Sequence, residues 1–260
     1  MKRLEGKTTF ITGASSGIGK ACAFYFAEEG SNLIISSRTA AKIEQVAEDI
    51  RIKFGVSVYS MSMDVRSNSD VTSKIKNLPK EWQSVDILIN NAGLARGFNK
   101  LHEDDPDGWD EMIDTNVKGL LYVSRQIVPQ MVEKKSGHII NIGSIAGHEA
   151  YPGGGVYCAT KHAVDAITKT FKMELIDKNI RVSTVDPGMV ETNFSNIRFA
   201  GDINRSKKVY EGIEPLYADD IADAVLFCAT RKENTNIGQI VMTPIAQASA
   251  FVNYRDPDKM

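Results

Sequence analysis

The run "TTFIT" (residues 8–12) leads directly into "TGASSGIG" (12–19). Its first five residues are all β-branched or aromatic and read as a strand. Gly13, Gly17 and Gly19 then permit a tight turn, close approach of a ligand to the backbone, and close packing of the next helix on the strand. The N-terminus of that helix offers free N–H groups and a partial positive charge, which suit a phosphate. The spacing is G-x-x-x-G-x-G rather than the G-x-G-x-x-G of the usual dinucleotide turn, so a ligand-free turn is the competing reading. A strand before and a helix after favour the phosphate.

The same alternation continues outward from this turn. After "TTFIT" come "NLIIS" (32–36), "VSVYSM" (56–61), "VDILIN" (85–90), "GHIINI" (137–142), "IRVSTV" (180–185) and "GQIVM" (238–242). Between them lie helical patterns such as 41–54, where Ile43, Val46, Ala47 and Ile50 share a face. Strands separated by helices specify an α/β fold: a doubly wound parallel sheet of about seven strands with helices on both faces. The near-continuous apolar runs "DILIN" and "HIINI" suit central strands buried on both sides. No linker or repeat divides the chain, so residues 1–260 read as a single domain. Such a sheet binds ligands at the carboxyl ends of its strands, at the switch point.

Bulk properties narrow the function. With 42% hydrophobic and 25% charged residues and a net charge of −2, the 260-residue chain has no basic surplus for a polyanion, so nucleic acid is not an expected partner. No segment reads as a signal peptide or membrane span, and Cys22, Cys158 and Cys228 lack zinc-site spacing, so a cytoplasmic, reducing location is expected. His102, His138, His148 and His162 are scattered, and no metal site is expected.

The second strand ends in "SSR", placing Ser37 and Arg38 about twenty residues beyond the glycine turn. An acidic residue there would accept from a ribose hydroxyl, whereas a basic one suits a 2′-phosphate. Arg38 therefore points to NADP rather than NAD, against the alternative of a solvated surface arginine.

In "YCATK" (157–161), Tyr157 and Lys161 stand four residues apart, just after the glycine run 153–155, and so face one way at the start of a helix. A packed tyrosine with a snorkelling lysine is the plainer reading of that pair.

Taken in order, "TGASSGIG", "NNAG" (90–93), Asn116, "GSIAG" (143–147), "YCATK" and "PG" (187–188) give the chain its resemblance to the short-chain dehydrogenase/reductase family, over nearly its whole length. The resemblance implies a Rossmann-type domain and an enzyme with a catalytic tetrad of Asn116, Ser144, Tyr157 and Lys161. It places Gly13, Ser15, Gly17, Ile18 and Gly19 at the pyrophosphate and adenosine, with Ser15, Ser37 and Arg38 at the 2′-phosphate. Asp64 and Val65 would flank the adenine; Asn90, Ala92 and Gly93 would line the ribose and the end of the fourth strand; Pro187, Gly188, Val190 and Thr192 would cradle the nicotinamide carboxamide. Ser16 stands where NADP enzymes of the family often carry a basic residue, which leaves Arg38 to set the preference alone. A homotetramer built on the helix 157–177 is implied by the resemblance only.

Carbonyl reduction needs a hydride on carbon and a proton on oxygen. A free phenol, with a pKa of about 10, trades protons poorly near neutrality, and an adjacent ammonium lowers that value. Lys161 is expected to do this to Tyr157 while also reaching the ribose, with Ser144 orienting the substrate oxygen. Asn116 is expected to kink its helix and hold a water linking Lys161 to solvent.

The stretches "LPKEWQSVDILINNAGLARG", "ETNFSNIRFAGD" and "ADDIADAV" resemble the branch of the family that acts on 3-hydroxy acids with NADP, which includes serine and allo-threonine dehydrogenases and semialdehyde reductases. Residues 189–217 read as a mobile lid; within it, 194–217 shows no strand pattern. Arg198, in "FSNIRF", is the candidate partner for a substrate carboxylate. The tail 244–260 is a candidate inter-subunit contact. The expected function is thus an NADP-dependent oxidoreductase interconverting a 3-hydroxy acid and its 3-oxo acid or semialdehyde. A reductase of a neutral ketone, a sugar or a 3-oxoacyl thioester, and a non-catalytic NADP-binding sensor, are the alternatives.

Overall fold

Successive residues of a strand point to opposite faces, so a strand buried on both faces must be apolar throughout. The computed structural model, which describes residues 2–259, shows this division. Ile11, Leu33, Ile35, Ile87, Ile89 and Ile140 face one core, while Phe10, Ile34, Leu88 and Ile139 face the other.

These residues belong to β1 (Thr8–Thr12), β2 (Asn32–Ser37), β4 (Ile87–Asn90) and β5 (Gly137–Ile142), which are flanked by β3 (Val58–Ser62), β6 (Ile180–Pro187) and the edge strand β9 (Gln239–Met242). The seven strands form one sheet in the order β3-β2-β1-β4-β5-β6-β9 with every pairing parallel. One face is covered by α1 (Gly17–Glu28), α2 (Ala40–Phe54) and α9 (Ala218–Ala229), the other by α3 (Asn68–Lys76) and α5 (Leu120–Lys134). The helix α6 (Gly155–Glu174) runs beside β6 and lends its partly buried Phe171 to the second core. The sheet order reverses between β1 and β4, which opens a crevice above their carboxyl ends. Expected and observed strands agree to within about two residues, the usual scatter of element ends.

One feature departs from the sequence reading. The stretch 194–217 is not strand-free: β7 (Val190–Glu191) pairs in parallel with β8 (Leu216–Tyr217), which falls at its end. Two residues are too few to carry an alternating pattern, and the pairing joins segments far apart in sequence. Between them lie α7 (Phe194–Arg198) and α8 (Ile203–Lys208). The helix carrying Asn116 is interrupted, as expected: α4 (Pro106–Ile113) passes into α5 through a π-turn over Asp114–Gly119.

The tail returns to its own subunit. Gln247 Oε1 accepts from the Met189 amide at 2.8 Å, and Arg255 donates to the Val209 carbonyl at 3.1 Å and to that of Glu211. Ile245, Phe251, Val252 and Tyr254 nevertheless remain exposed. No described helix is long and apolar enough to cross a membrane.

Candidate active site

The crevice widens into a cavity of about 880 Å³. Its floor begins at the glycine turn. Gly13 has φ +67°, and a Cβ there would stand 2.9 Å from Ala92 Cα; at Gly19 it would meet the Asn91 amide at 2.3 Å. Ser16, the N-cap of α1, makes no side-chain capping bond, and the first turn carries no acid. The leading N–H groups of α1 are thus left for an anion, as a pyrophosphate requires.

Of the residues read from the sequence, Gly13, Ser15, Gly17, Ile18, Ser37, Arg38, Asp64, Val65, Ala92, Gly93, Ser144, Tyr157, Lys161, Pro187, Gly188, Val190, Thr192 and Arg198 line this one cavity. Three do not. Gly19 lies behind the turn as packing space. Asn90 is a correction to the expected ribose contact. It is 5% exposed and donates to Ser124 Oγ at 3.0 Å and Asn141 Oδ1 at 2.9 Å, inside the sheet. Strand alternation turns it inward and brings its neighbour Asn91 to the cavity wall instead. Asn116 also stands behind the wall. Its Oδ1 accepts from Leu94 N at 2.8 Å, and its Nδ2 donates to Leu94 O at 2.8 Å and Thr160 Oγ1 at 3.0 Å. It thus fastens the loop after β4 to α6.

The phenol of Tyr157 is buried, edge-on to Phe194 with ring centroids 5.6 Å apart. Burial pushes its pKa well up and nearby Tyr151 adds to this, while the Ser144 hydroxyl and the Arg198 guanidinium favour the phenolate. Ser144 Oγ accepts from Ala146 N at 3.1 Å and lies 3.3 Å from Pro187 O, a long contact that its rotatable proton can exchange for an oxygen in the cavity. Lys161, expected to supply the acidifying charge, is buried one turn further along the same helix. Its Nζ donates to Ile142 O at 2.8 Å and sits 5.9 Å from the phenol centroid. Burial lowers the lysine to about 8, against an opposing pull from Asp186.

Arg198 occupies the other side of the phenol. Its Nε donates to Gly97 O and its Nη1 to Tyr151 Oη, each at 3.1 Å, and its guanidinium carbon lies 4.8 Å from the Phe98 centroid. At the adenosine end, half-exposed Arg38 reaches Glu111 at 3.4 Å, and Arg66 holds the Asp64 carboxyl below its usual range. Arg38 is not alone there, because Lys42, one turn into α2, also lines the cavity. Its place in "RTAAK", four residues after Arg38, was the available signal. Arg205 and Lys208 of the lid line the cavity too, and Gln247, Phe251 and Asn253 of the tail join them without any signal in the sequence, because chain folding and not spacing brings them there. Asp64 is the only carboxylate residue among the wall residues, against Arg38, Lys42, Lys161, Arg198, Arg205, Lys208 and Arg255. The wall therefore favours a polyanionic ligand.

A switch-point cavity with a phosphate-binding turn at one end and a buried serine, tyrosine and lysine at the other is the site of a dinucleotide-dependent oxidoreductase. The chain belongs to the short chain dehydrogenase family, whose model matches residues 7–201. It is 44% identical over 256 residues to an NADP-dependent 3-hydroxy acid dehydrogenase of Schizosaccharomyces pombe, covering 98% of this chain and 99% of that one. An Escherichia coli K12 protein of the same description is 37% identical over 244 residues, 94% of this chain and 97% of that one. Among solved structures, a closed form of serine dehydrogenase complexed with NADP+ superposes with a TM-score of 0.89 at 36% identity, covering 95% of this chain and 99% of that chain.

Proposed function

We propose that this chain is an NADP-dependent oxidoreductase that interconverts a 3-hydroxy acid with its 3-oxo acid or semialdehyde. The observation that carries the substrate class is the placement of Arg198 in the same cavity as Ser144 and Tyr157, facing the phenol from 5.7 Å. A guanidinium there can hold a carboxylate while the hydroxyl of the same small molecule reaches the phenol. The names of the relatives support the same class.

When bound, the nicotinamide accepts or supplies the hydride. In the oxidising direction Tyr157, as phenolate, takes the proton of the substrate hydroxyl, and Ser144 donates a hydrogen bond to the same oxygen. Lys161 holds the ribose hydroxyls, and Asn116 positions the wall beside them. Arg38, Lys42, Ser15 and Ser37 hold the 2′-phosphate; Gly13, Gly17, Ile18, Asp64, Val65, Ala92 and Gly93 hold the rest of the adenosine and pyrophosphate side, and Pro187, Gly188, Val190 and Thr192 the carboxamide. Residues 189–217 act as the lid, strapped by the tail 244–260.

The chain works as a cytoplasmic homotetramer in this reading. Leu121, Met173 and Ile176, exposed at 39%, 68% and 78% on and beside α5 and α6, support a helical interface, and three buried free thiols suit a reducing compartment.

The test is a turnover panel followed by nicotinamide absorbance, with serine, allo-threonine, 3-hydroxypropionate and 3-hydroxyisobutyrate against neutral alcohols and a 3-oxoacyl thioester, each with NADP(H) and NAD(H). Turnover of the hydroxy acids with NADP is expected. Activity confined to neutral carbonyls or thioesters would replace the substrate class, and binding of NADP without turnover of any compound would leave a sensor.

A further inference from the structure

Arg96 stands near the end of the stretch "LPKEWQSVDILINNAGLARG", has no role in the site described above, and ties together two separate elements. Its Nε donates to Glu111 Oε2 on α4 at 2.5 Å, and its Nη1 donates to the Ile197 carbonyl on α7 at 2.7 Å. The next residue repeats the link. Gly97 N donates to Arg198 O at 3.1 Å, and Arg198 Nε donates back to Gly97 O at 3.1 Å. Residues 96–97 and 197–198 are therefore clasped by three hydrogen bonds, and the Arg96–Glu111 tie braces the clasp from behind.

The clasp matters because α7 has only five residues. A helix so short has no stability of its own in water, so the position of its last residue is set by outside contacts. That residue is Arg198. Stacking against Phe98 and Tyr151 fixes the plane of its guanidinium, but not the height of its backbone over the phenol. The height is fixed by the Arg198 carbonyl held on the Gly97 amide and, next to it, by the Ile197 carbonyl held on Arg96. Glu111 in turn keeps its charge, its carboxyl held below the usual range first by Arg96 and then by Arg38.

We propose that Arg96, braced by Glu111, is a positioning residue that sets selectivity for carboxylate-bearing substrates by holding Arg198 at the phenol. This rests on the reading of Arg198 as the carboxylate partner. A guanidinium–carboxylate pair depends on fixed fork geometry, so a small displacement of Arg198 loses the second hydrogen bond while leaving the space for an uncharged substrate intact.

The experiment compares kcat/KM for 3-hydroxypropionate and for its methyl ester, with NADP affinity measured by nucleotide fluorescence, in the wild type and in Arg96→Met, Glu111→Gln, Arg198→Met and the Arg96→Met/Arg198→Met double variant. In Arg96→Met the acid-to-ester selectivity falls about tenfold through KM, with kcat and NADP affinity nearly unchanged. Glu111→Gln, which still accepts from Arg96, shows a smaller fall in the same direction and guards against misfolding of the methionine variant. The double variant is no less selective than Arg198→Met, because Arg96 acts only through Arg198. Selectivity lost in Arg198→Met but kept in Arg96→Met and Glu111→Gln overturns the positioning role alone, as does additivity in the double variant. Unchanged selectivity in Arg198→Met overturns the carboxylate reading and this inference with it.

Discussion

The Arg198 guanidinium carbon lies 5.7 Å from the ring centroid of Tyr157, so a second cation, from α7, stands as close to the buried phenol as Lys161 of the phenol's own helix does at 5.9 Å. Arg198 thereby has two jobs in one place, holding the substrate and favouring the phenolate. Replacing it with Met removes a charge-assisted contact worth about 1.5–3 kcal/mol, so KM for 3-hydroxy acids should rise roughly 10- to 100-fold. Because the guanidinium favours the phenolate, its loss should also move the acid limb of the oxidation pH profile to higher pH. A profile unmoved by Arg198→Met would separate the cation from the phenol.

Tyr157→Phe retains the packing of the ring against Phe194 and removes only the hydroxyl. Turnover should fall about 10²- to 10⁴-fold, the usual worth of a positioned proton donor, while NADP affinity stays within roughly twofold. Turnover equal to the wild type, with the cofactor bound, would remove the phenol from the reaction.

Arg38 and Lys42 both line the adenosine end, but Arg38 is half exposed and also reaches Glu111. Neither should carry the coenzyme preference alone. Each single change to Met should weaken NADP about tenfold, and the double change should weaken it more, with NAD affinity unaffected, as expected for charge-assisted contacts to a phosphate. Equal loss for both nucleotides would assign these cations to the pyrophosphate or to folding.

Lys161 provides a pH signature. Its folded value of about 8 lies below the 10.5 of the unfolded chain, so between those limits the unfolded chain binds more protons and stability rises with pH. Lys161→Met removes that ionisation. Relative to this variant, the wild type should gain on the order of 3 kcal/mol from pH 8 to 10.5, read from denaturant midpoints. A constant difference between the two proteins across that range would mean that the lysine is not buried as an ammonium.

Much of the architecture was legible because it depends on local chemistry. The seven strands announced themselves as short β-branched runs, and Gly13, Gly17 and Gly19 marked the phosphate turn because Ala92 and Asn91 leave no room for a side chain at Gly13 and Gly19, while Gly17 has φ +53°. The pair Tyr157 and Lys161 was legible for a similar reason, since one helical turn fixes their common face. The two-residue pairing of β7 with β8 left no such trace, and the inward turn of Asn90 follows from which face of β4 packs against Ser124 and Asn141.

By itself the sequence determined the parallel sheet, the glycine turn and the order of the chemistry-bearing residues, because periodicity and backbone permissiveness act within a few residues of the chain. Only the tertiary structure decided that a second charge, beyond Lys161, stands at the phenol. It turned Lys161 toward the Ile142 carbonyl, drew Arg198 across the cavity through contacts about a hundred residues apart, and folded Gln247 and Arg255 onto the segment above. The reason is physical: in a buried site the electrostatics depend on distances between groups that the chain brings together only after the core has formed.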